Sequence, residues 1–500
     1  MTPMARFSPL VRHLPAVLAA ALAGCAVGPD FQRPAPPATP SFTAGALPAQ
    51  TASAPGPGGQ AQRFAPGQEV ASQWWKAFGS PALDALVAAT LQANPDLQAA
   101  ASALRAARES VAVQRASLWP SVDASLNTAR QKTPGPLASP LVDSERALYT
   151  LHTAQLSIGY VPDVFGGARR QAEALSAQAQ VQRFQREGVY MALVANVVNT
   201  AIEEASLRAQ IATTHELIAL ATRLLDSTRS QRRAGQAGAA DLAAQEAALA
   251  QAQATLPPLA QRLAKQRHRL AVLAGRLPSE QLAQQFTLAS LQLPLELPLS
   301  LPARLVEQRP DVRAAQAQLQ AASAQVGVAA AARLPQLTLT ATLGSSALGM
   351  SQLFGSGNGA WSIGGDLLQP LFRGGALAHQ HRAAEASYDQ AAAQYRSTVL
   401  TAFQNTADTL QSIVSGAETL RAASAAEAAA HRSLLIAQRQ RALGAAPLAE
   451  WLLAQQTHQG AALALVQAQA ARYTNTVALY LALGGWWQMP DAEDGPAHGG

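Results

Sequence analysis

The stretch Gln155-Leu156-Ser157-Ile158-Gly159-Tyr160-Val161-Pro162-Asp163-Val164-Phe165-Gly166-Gly167 changes its character part-way along. Up to Tyr160, apolar Leu156, Ile158 and Tyr160 alternate with Gln155, Ser157 and Gly159, the period of two that marks a strand with one apolar face. Beyond Gly166-Gly167, residues 168–233 contain no proline and are rich in Ala, Gln, Leu and Arg, all good helix formers. At 1.5 Å per residue such a helix extends roughly 100 Å, about three bilayer thicknesses. Its Gln, Arg and Glu content keeps it out of lipid. The chain therefore couples a short amphipathic strand to a very long water-exposed helix.

The same coupling is written twice. Asn94-Pro95-Asp96-Leu97 recurs as Arg309-Pro310-Asp311-Val312, and Trp119-Pro120 as Leu334-Pro335, both at an offset of 215 residues. Pro162-Asp163-Val164-Phe165-Gly166-Gly167 recurs as Pro370-Leu371-Phe372-Arg373-Gly374-Gly375, offset 208. Ala234-Gly235 recurs as Leu443-Gly444 and Leu273-Ala274-Gly275 as Ala482-Leu483-Gly484, both at 209. Landmarks in one order, separated only by short indels, are the mark of a tandem duplication. In each copy a helix opens after Asn94-Pro95 or Arg309-Pro310 and stops at Trp119-Pro120 or Leu334-Pro335, because proline ends the helix before it. Alternation follows: Val122, Ala124 and Leu126 against Ser121, Asp123, Ser125 and Asn127, and Leu337, Leu339, Ala341 and Leu343 against Thr338, Thr340 and Thr342. Trp361 and Ile363 mark the second return strand. Apolar on one face and small-polar on the other suits a strand between lipid and a water-filled lumen, although the strands alone also fit the half-buried sheet edge of a soluble domain. After each long helix a shorter one returns, about 241–273 and 448–483. Four strands per chain leave two open edges, which hydrocarbon does not tolerate, so the strands must close with those of further copies.

Composition agrees. Of 500 residues, 49% are hydrophobic, yet only 5% are aromatic and 14% charged; alanine fills the gap. Alanine favours long helices that pack backbone-close. A mean hydropathy of +0.03 is too low for a polytopic helical membrane protein. The formal charge of +6 comes without a basic run, so nucleic acid is not an expected partner. The histidines are scattered, and His-Glu-x-x-His, P-loop and Gly-x-Ser-x-Gly motifs are absent, so no enzyme activity, metal or cofactor is expected. Gly374-Gly375 reads as a tight bend. Trp74, Trp75, Trp486 and Trp487 lie outside the strands and read as packing residues rather than an aromatic belt.

The single cysteine excludes a disulfide framework. Arg6 and Arg12 precede an apolar run, Leu14–Leu22, and Leu22-Ala23-Gly24-Cys25 resembles a bacterial lipoprotein signal. That resemblance implies cleavage before Cys25, with S-diacylglycerol and N-palmitoyl groups on it. Ala26, rather than an aspartate, follows, which by the same resemblance favours the outer membrane of a Gram-negative cell. Residues 28–68, rich in Pro, Gly, Ala and Ser, read as a tether unable to order itself. The expected organisation is a leader over 1–24, a lipidated N-terminus and tether over 25–70, and a first repeat over 71–292. The first repeat holds a strand pair at about 120–162 and a long helix at 168–233. A second repeat covers 293–487, with a strand pair at about 335–370 and a long helix at 376–443, and a polar tail covers 488–500.

Cys25-Ala26-Val27-Gly28-Pro29-Asp30-Phe31, Trp74-Trp75, Asn94-Pro95-Asp96-Leu97, Pro162-Asp163-Val164-Phe165-Gly166 and Gln369-Pro370-Leu371-Phe372 resemble the outer membrane efflux lipoprotein family, in its TolC/OprM-like branch. The resemblance implies a mainly α protein with a small transmembrane β-barrel. It further implies a homotrimer with a twelve-stranded barrel on an α-helical periplasmic tunnel. Such a protein is a passive exit channel for small molecules. Its expected partners are a periplasmic membrane-fusion adaptor, an inner-membrane resistance-nodulation-division pump and outer-membrane lipid. The adaptor-contacting turns of the family match Gly235, Gln236 and Ala237, and Gly444, Ala445 and Ala446. Its tip links match Asp241, with Arg441 where a tyrosine is usual, and a charge-assisted Asp241–Arg441 pair is expected. Asp241 also fits a plain helix N-terminal acid. Glu450 matches an acidic constriction, while Leu453 stands where a second acid is usual, so one acidic ring above one apolar ring is expected. A periplasmic coiled-coil adaptor or scaffold lipoprotein without a pore would share the leader and long helices, but not the duplicated strand pairs.

Overall fold

The computed structural model describes residues 26–132, 148–280, 282–443 and 445–484. The segment before the repeats carries β1 (Arg63–Pro66), and the first repeat contains α1 (Pro81–Ala93), α2 (Pro95–Ala116), β2 (Ser121–Lys132), β3 (Leu148–Tyr160), α3 (Gly167–Arg233), α4 (Ala239–Ala254) and α5 (Leu256–Leu273). The second contains β4 (Glu296–Leu299), α6 (Pro302–Gln308), α7 (Pro310–Ala331), β5 (Gln336–Ala347), β6 (Gly359–Leu368), α8 (Ala376–Ala442) and α9 (Leu448–Ala482). The chain divides into two compact units. One is formed by the described residues of 26–34, 103–182 and 314–395, and holds the four-stranded sheet. The other is formed by the described residues of 35–102, 183–313 and 396–484. Among the described residues no helix is long and apolar enough to cross a membrane.

The sheet is antiparallel in the order β2-β3-β5-β6. Its register sorts the alternating residues into rows. Val122 faces Ile158, which faces Ala341, which faces Ile363. The next row is Ala124, Leu156, Leu343 and Trp361. On the opposite face run Ser121, Gly159, Thr340 and Gly364, then Asp123, Ser157, Thr342 and Ser362. Because side chains alternate across a pleated strand, one face is apolar over these rows and the other small and polar. The apolar face is bare in the single chain: Trp361 is 74% and Ile363 78% exposed. The outer edges of β2 and β6 pair with no further strand among the described residues.

The duplication is visible at atomic detail in the second unit. Asn94 Nδ2 donates to the Leu273 carbonyl at 3.0 Å, and its twin Arg309 Nη1 donates to the Ala482 carbonyl at 2.8 Å. Each residue thereby binds the last turn of the helix that returns from the hairpin of its own repeat. Gly275 and Gly484, with φ of +70° and +82°, follow those turns. A Cβ on Gly275 would lie 2.6 Å from the Ala93 carbonyl oxygen, so the left-handed conformation and the close approach both require glycine. At the strand-to-helix bend Gly374 and Gly375 also have positive φ, +57° and +83°, as a tight turn demands.

Two sequence expectations are corrected. The helix expected over 241–273 is two helices, α4 and α5, divided at Thr255. Pro257 and Pro258 supply no N–H and can stand only in the first turn of a helix, so α5 must start anew there. The equivalent α9 has no internal proline and runs unbroken. The second correction concerns the tether, which is packed. In the first unit the Val27 amide donates to the Phe165 carbonyl at 3.1 Å, and Arg170 donates to Asp30 at 2.7 Å. In the second, β1 pairs in parallel with β4, and Gln62 is wholly buried, donating to the Pro294 carbonyl and Thr476 Oγ1. Buried Arg472 on α9 completes the tie through Gly58 O, Gln60 O, Thr51 Oγ1 and Ile413 O. Burial lowers its pKa to about 10. A proline-rich segment with no core of its own is ordered because distant helices supply its hydrogen-bond partners.

Trp74 and Trp75 are buried, and the Trp74 ring lies 5.2 Å from Tyr480, which makes them packing residues. Trp486, Trp487, Cys25 and Gly444 lie outside the described residues.

Candidate functional site

Each long helix ends in a turn closed by the same backbone hydrogen bond. The Gln236 amide donates to the Gln231 carbonyl at 2.8 Å, and 209 residues later the Ala445 amide donates to the Gln440 carbonyl at 2.8 Å. This six-residue closure is the Schellman ending of a helix, which places a left-handed residue between. Gly235 occupies that position with φ +74°. Gly235, Gln236 and Ala445 are exposed, and Ala237 and Ala446 half-buried.

The returning helices also start alike. Asp241 is the third residue of α4 and Glu450 the third of α9, at the same offset of 209. Their N-caps share one conformation, with φ −79° and ψ 167° at Gly238 and φ −69° and ψ 156° at Pro447. One difference separates them. Gly238 has an N–H, which donates to Asp241 Oδ2 at 3.2 Å, whereas proline has none to offer Glu450. Asp241 is therefore held by its own helix start. Glu450 is exposed and, among the described residues, unpaired.

Arg441 approaches Asp241 with Nη2 at 4.0 Å from Oδ2. This is an ion pair without the direct hydrogen bond expected; the bond that Asp241 accepts comes from Gly238. The side chains are 15% and 35% exposed, so solvent weakens the attraction. Arg441 also lies over the Trp451 ring at 5.6 Å from its centroid. Trp451 is the buried anchor of this end, packed with Leu224, Leu434, Ala437 and Ala454. Leu453, one turn beyond Glu450, is 64% exposed, so the acid and the leucine share an open helix face. Asp241 and Arg441 are thus brought together, while Glu450 and Leu453 stand apart from that pair. Sequence reasoning missed Trp451 and the Gly238–Pro447 contrast, although aligning the repeats at 209 displays both. Among the described residues no cluster of His, Cys, Asp and Glu could hold a metal.

A family described as outer membrane efflux protein matches residues 86–276 and 301–485, once over each repeat. The chain belongs to this family. It is 32% identical over 418 residues to the pyoverdine export outer membrane protein OpmQ of Pseudomonas aeruginosa, covering 83% of this chain and 88% of the relative. It is 30% identical over 474 residues to the probable efflux pump outer membrane protein TtgC of Pseudomonas putida, covering 94% and 95%. The solved outer-membrane channel OprN shares the fold with a TM-score of 0.82 at 28% identity, over 93% of this chain and 100% of that one. The chain is an outer-membrane component of an efflux system, and its exposed apolar strand rows are those of an outer-membrane channel protein.

Proposed function

We propose that three copies of this chain close their four-stranded sheets into one twelve-stranded barrel and act as a passive exit channel, without enzymatic chemistry. The observation that carries this is the sheet itself: an exposed apolar face and two edges that pair with no further strand among the described residues. In hydrocarbon each unpaired backbone group costs several kcal/mol, which closure by neighbouring copies removes. The helical hairpins continue the lumen into the periplasm, where the turns at Gly235–Ala237 and Gly444–Ala446 receive an adaptor served by an inner-membrane resistance-nodulation-division pump. Small residues there let a partner backbone approach closely. Asp241 with Arg441 holds the tip shut, and Glu450 and Leu453 form an acidic and an apolar ring in its lumen. Diacylglycerol and palmitoyl groups on Cys25 anchor the start of the chain in the outer membrane. Relatives named for pyoverdine, toluene and antibiotic export support small molecules as cargo.

Planar-bilayer recording tests the reading. The protein is expected to conduct in rare, brief openings, with longer openings for Asp241→Ala and Arg441→Ala. Absence of any conductance contradicts the channel, and unchanged openings in both variants contradict the tip link. Labelling with a radioactive fatty acid tests the anchor: equal label on wild type and Cys25→Ser contradicts it.

A further inference from the structure

We infer that Arg130 and Lys132, on the outward face of β2, bind the phosphate groups of a phosphorylated glycolipid in the outer leaflet of the outer membrane. The inference rests on the barrel proposed above, which turns the apolar face of the sheet toward lipid.

The four strands of the sheet carry few formal charges, and those charges are sorted by face. Pleat alternation places Arg130 and Lys132 on the face of Val122, Ala124 and Leu126. The acids of the four strands, Asp123 and Asp366, fall on the opposite face, across from Ser157 and Thr338. The face that meets lipid therefore holds two cations and no carboxylate. Both cations are exposed, and among the described residues neither has an ion-pair partner.

Position along the strand supplies the second argument. β2 follows α2 and starts at Ser121, so its Ser121 end joins the helices and its Lys132 end lies toward the cell exterior. The distance from Val122 to Arg130 is about 26 Å along an extended strand, and roughly 20 Å in height at the tilt of barrel strands. The apolar band of such a barrel is about 25 Å tall. Arg130 and Lys132 thus emerge at its outer margin, where the headgroups of the outer leaflet lie. A cation on a lipid-facing strand is disfavoured at mid-depth and tolerated at that margin.

The chemistry of the pair selects phosphate. Arg130 presents a planar fork that can donate two N–H bonds to one phosphate, and Lys132, about 7 Å further along the same face, adds a compact second charge. Thr150 stands directly opposite Arg130 and brings a hydroxyl to the same face. Thr128, one row nearer the apolar band, is already engaged, sharing a 2.9 Å hydrogen bond with His152. The outer-leaflet lipid of a Gram-negative cell is a glycolipid with phosphates on its sugars, which present the complementary charge at this depth. A zwitterionic headgroup has no net charge to match two cations.

Native mass spectrometry of the full-length, detergent-solubilised protein tests the site, by titration with bisphosphorylated lipid A and with lipid A stripped of its phosphates. The wild type is expected to bind the phosphorylated form at least about tenfold more tightly, and Arg130→Gln with Lys132→Gln to lose that preference. Equal affinity for the two forms overturns the site, and so does an undiminished preference in the double variant. The wild-type comparison needs no variant, so it decides the matter even where the double variant fails to assemble. Adding Gln131→Arg to the double variant puts a cation on the lumen face instead, and a preference restored by it would contradict the outward assignment. Inorganic pyrophosphate that displaces lipid A at equal concentration would mark a site for free phosphate and contradict the lipid. Unboiled electrophoresis of the same preparation separates the two readings. An intact trimer without the preference refutes this site alone, whereas a monomeric wild type refutes the barrel beneath it as well.

Discussion

The two hairpin ends place an acid at the same offset and use it differently. In the first, Asp241 is held by the Gly238 amide and approached by Arg441. In the second, Glu450 faces solvent, because Pro447 adopts the cap conformation of Gly238 but has no N–H to give. One backbone N–H separates the two helix starts: where Gly238 offers it the acid is a structural cap, and where Pro447 lacks it the acid is an available charge. The second end is compensated from below, since Trp451 is buried where its twin Leu242 is only half-buried.

That contrast can be broken in stages. Trp451→Ala should cost about 3–5 kcal/mol, the usual range for a buried tryptophan, while Leu242→Ala should cost roughly 1 kcal/mol. Denaturant midpoints of the detergent-solubilised protein measure both, and equal losses would remove the asymmetry. Gly235→Ala should cost about 1–2 kcal/mol, because φ there is +74° and no atom lies within 4 Å to clash, leaving backbone strain alone. Exchanging the caps isolates the N–H. Gly238→Pro, at a φ proline accepts, should lose roughly 0.5–1 kcal/mol and free Asp241, whereas Pro447→Gly should draw Glu450 back to its helix start. Conductance of the Pro447→Gly channel reads the second effect as a weaker cation preference. The smallest change is expected for Asp241→Asn or Arg441→Gln: below about 1 kcal/mol in stability, and smaller still in high salt. A large loss there would mean that the 4.0 Å separation understates the pair.

The fold was largely legible because it is written twice. Landmarks such as Asn94-Pro95 and Arg309-Pro310 placed the helices, and the alternation from Val122 and Leu337 placed the strands. Where reading failed, the cause was either a residue passed over or a partner far away. Pro257-Pro258 divides the returning helix of the first repeat, yet the helical pattern around it runs on. The order of the proline-rich start depends on Arg472, whose bonds to Gln60 and Thr51 span 412 and 421 residues, a distance at which local composition carries no information. At the tip, Asp241 and Glu450 were visible as acids. What separates them is a backbone proton on the residue at the N-cap, which a comparison of side chains overlooks.

The claim on which the rest depends is that this chain works as an assembly of copies sharing one barrel. Electrophoresis of outer-membrane fractions in SDS, with and without boiling, tests it most directly. The account predicts a band at the trimer mass in the unboiled sample that falls to the monomer on boiling. A monomer in both lanes would contradict it.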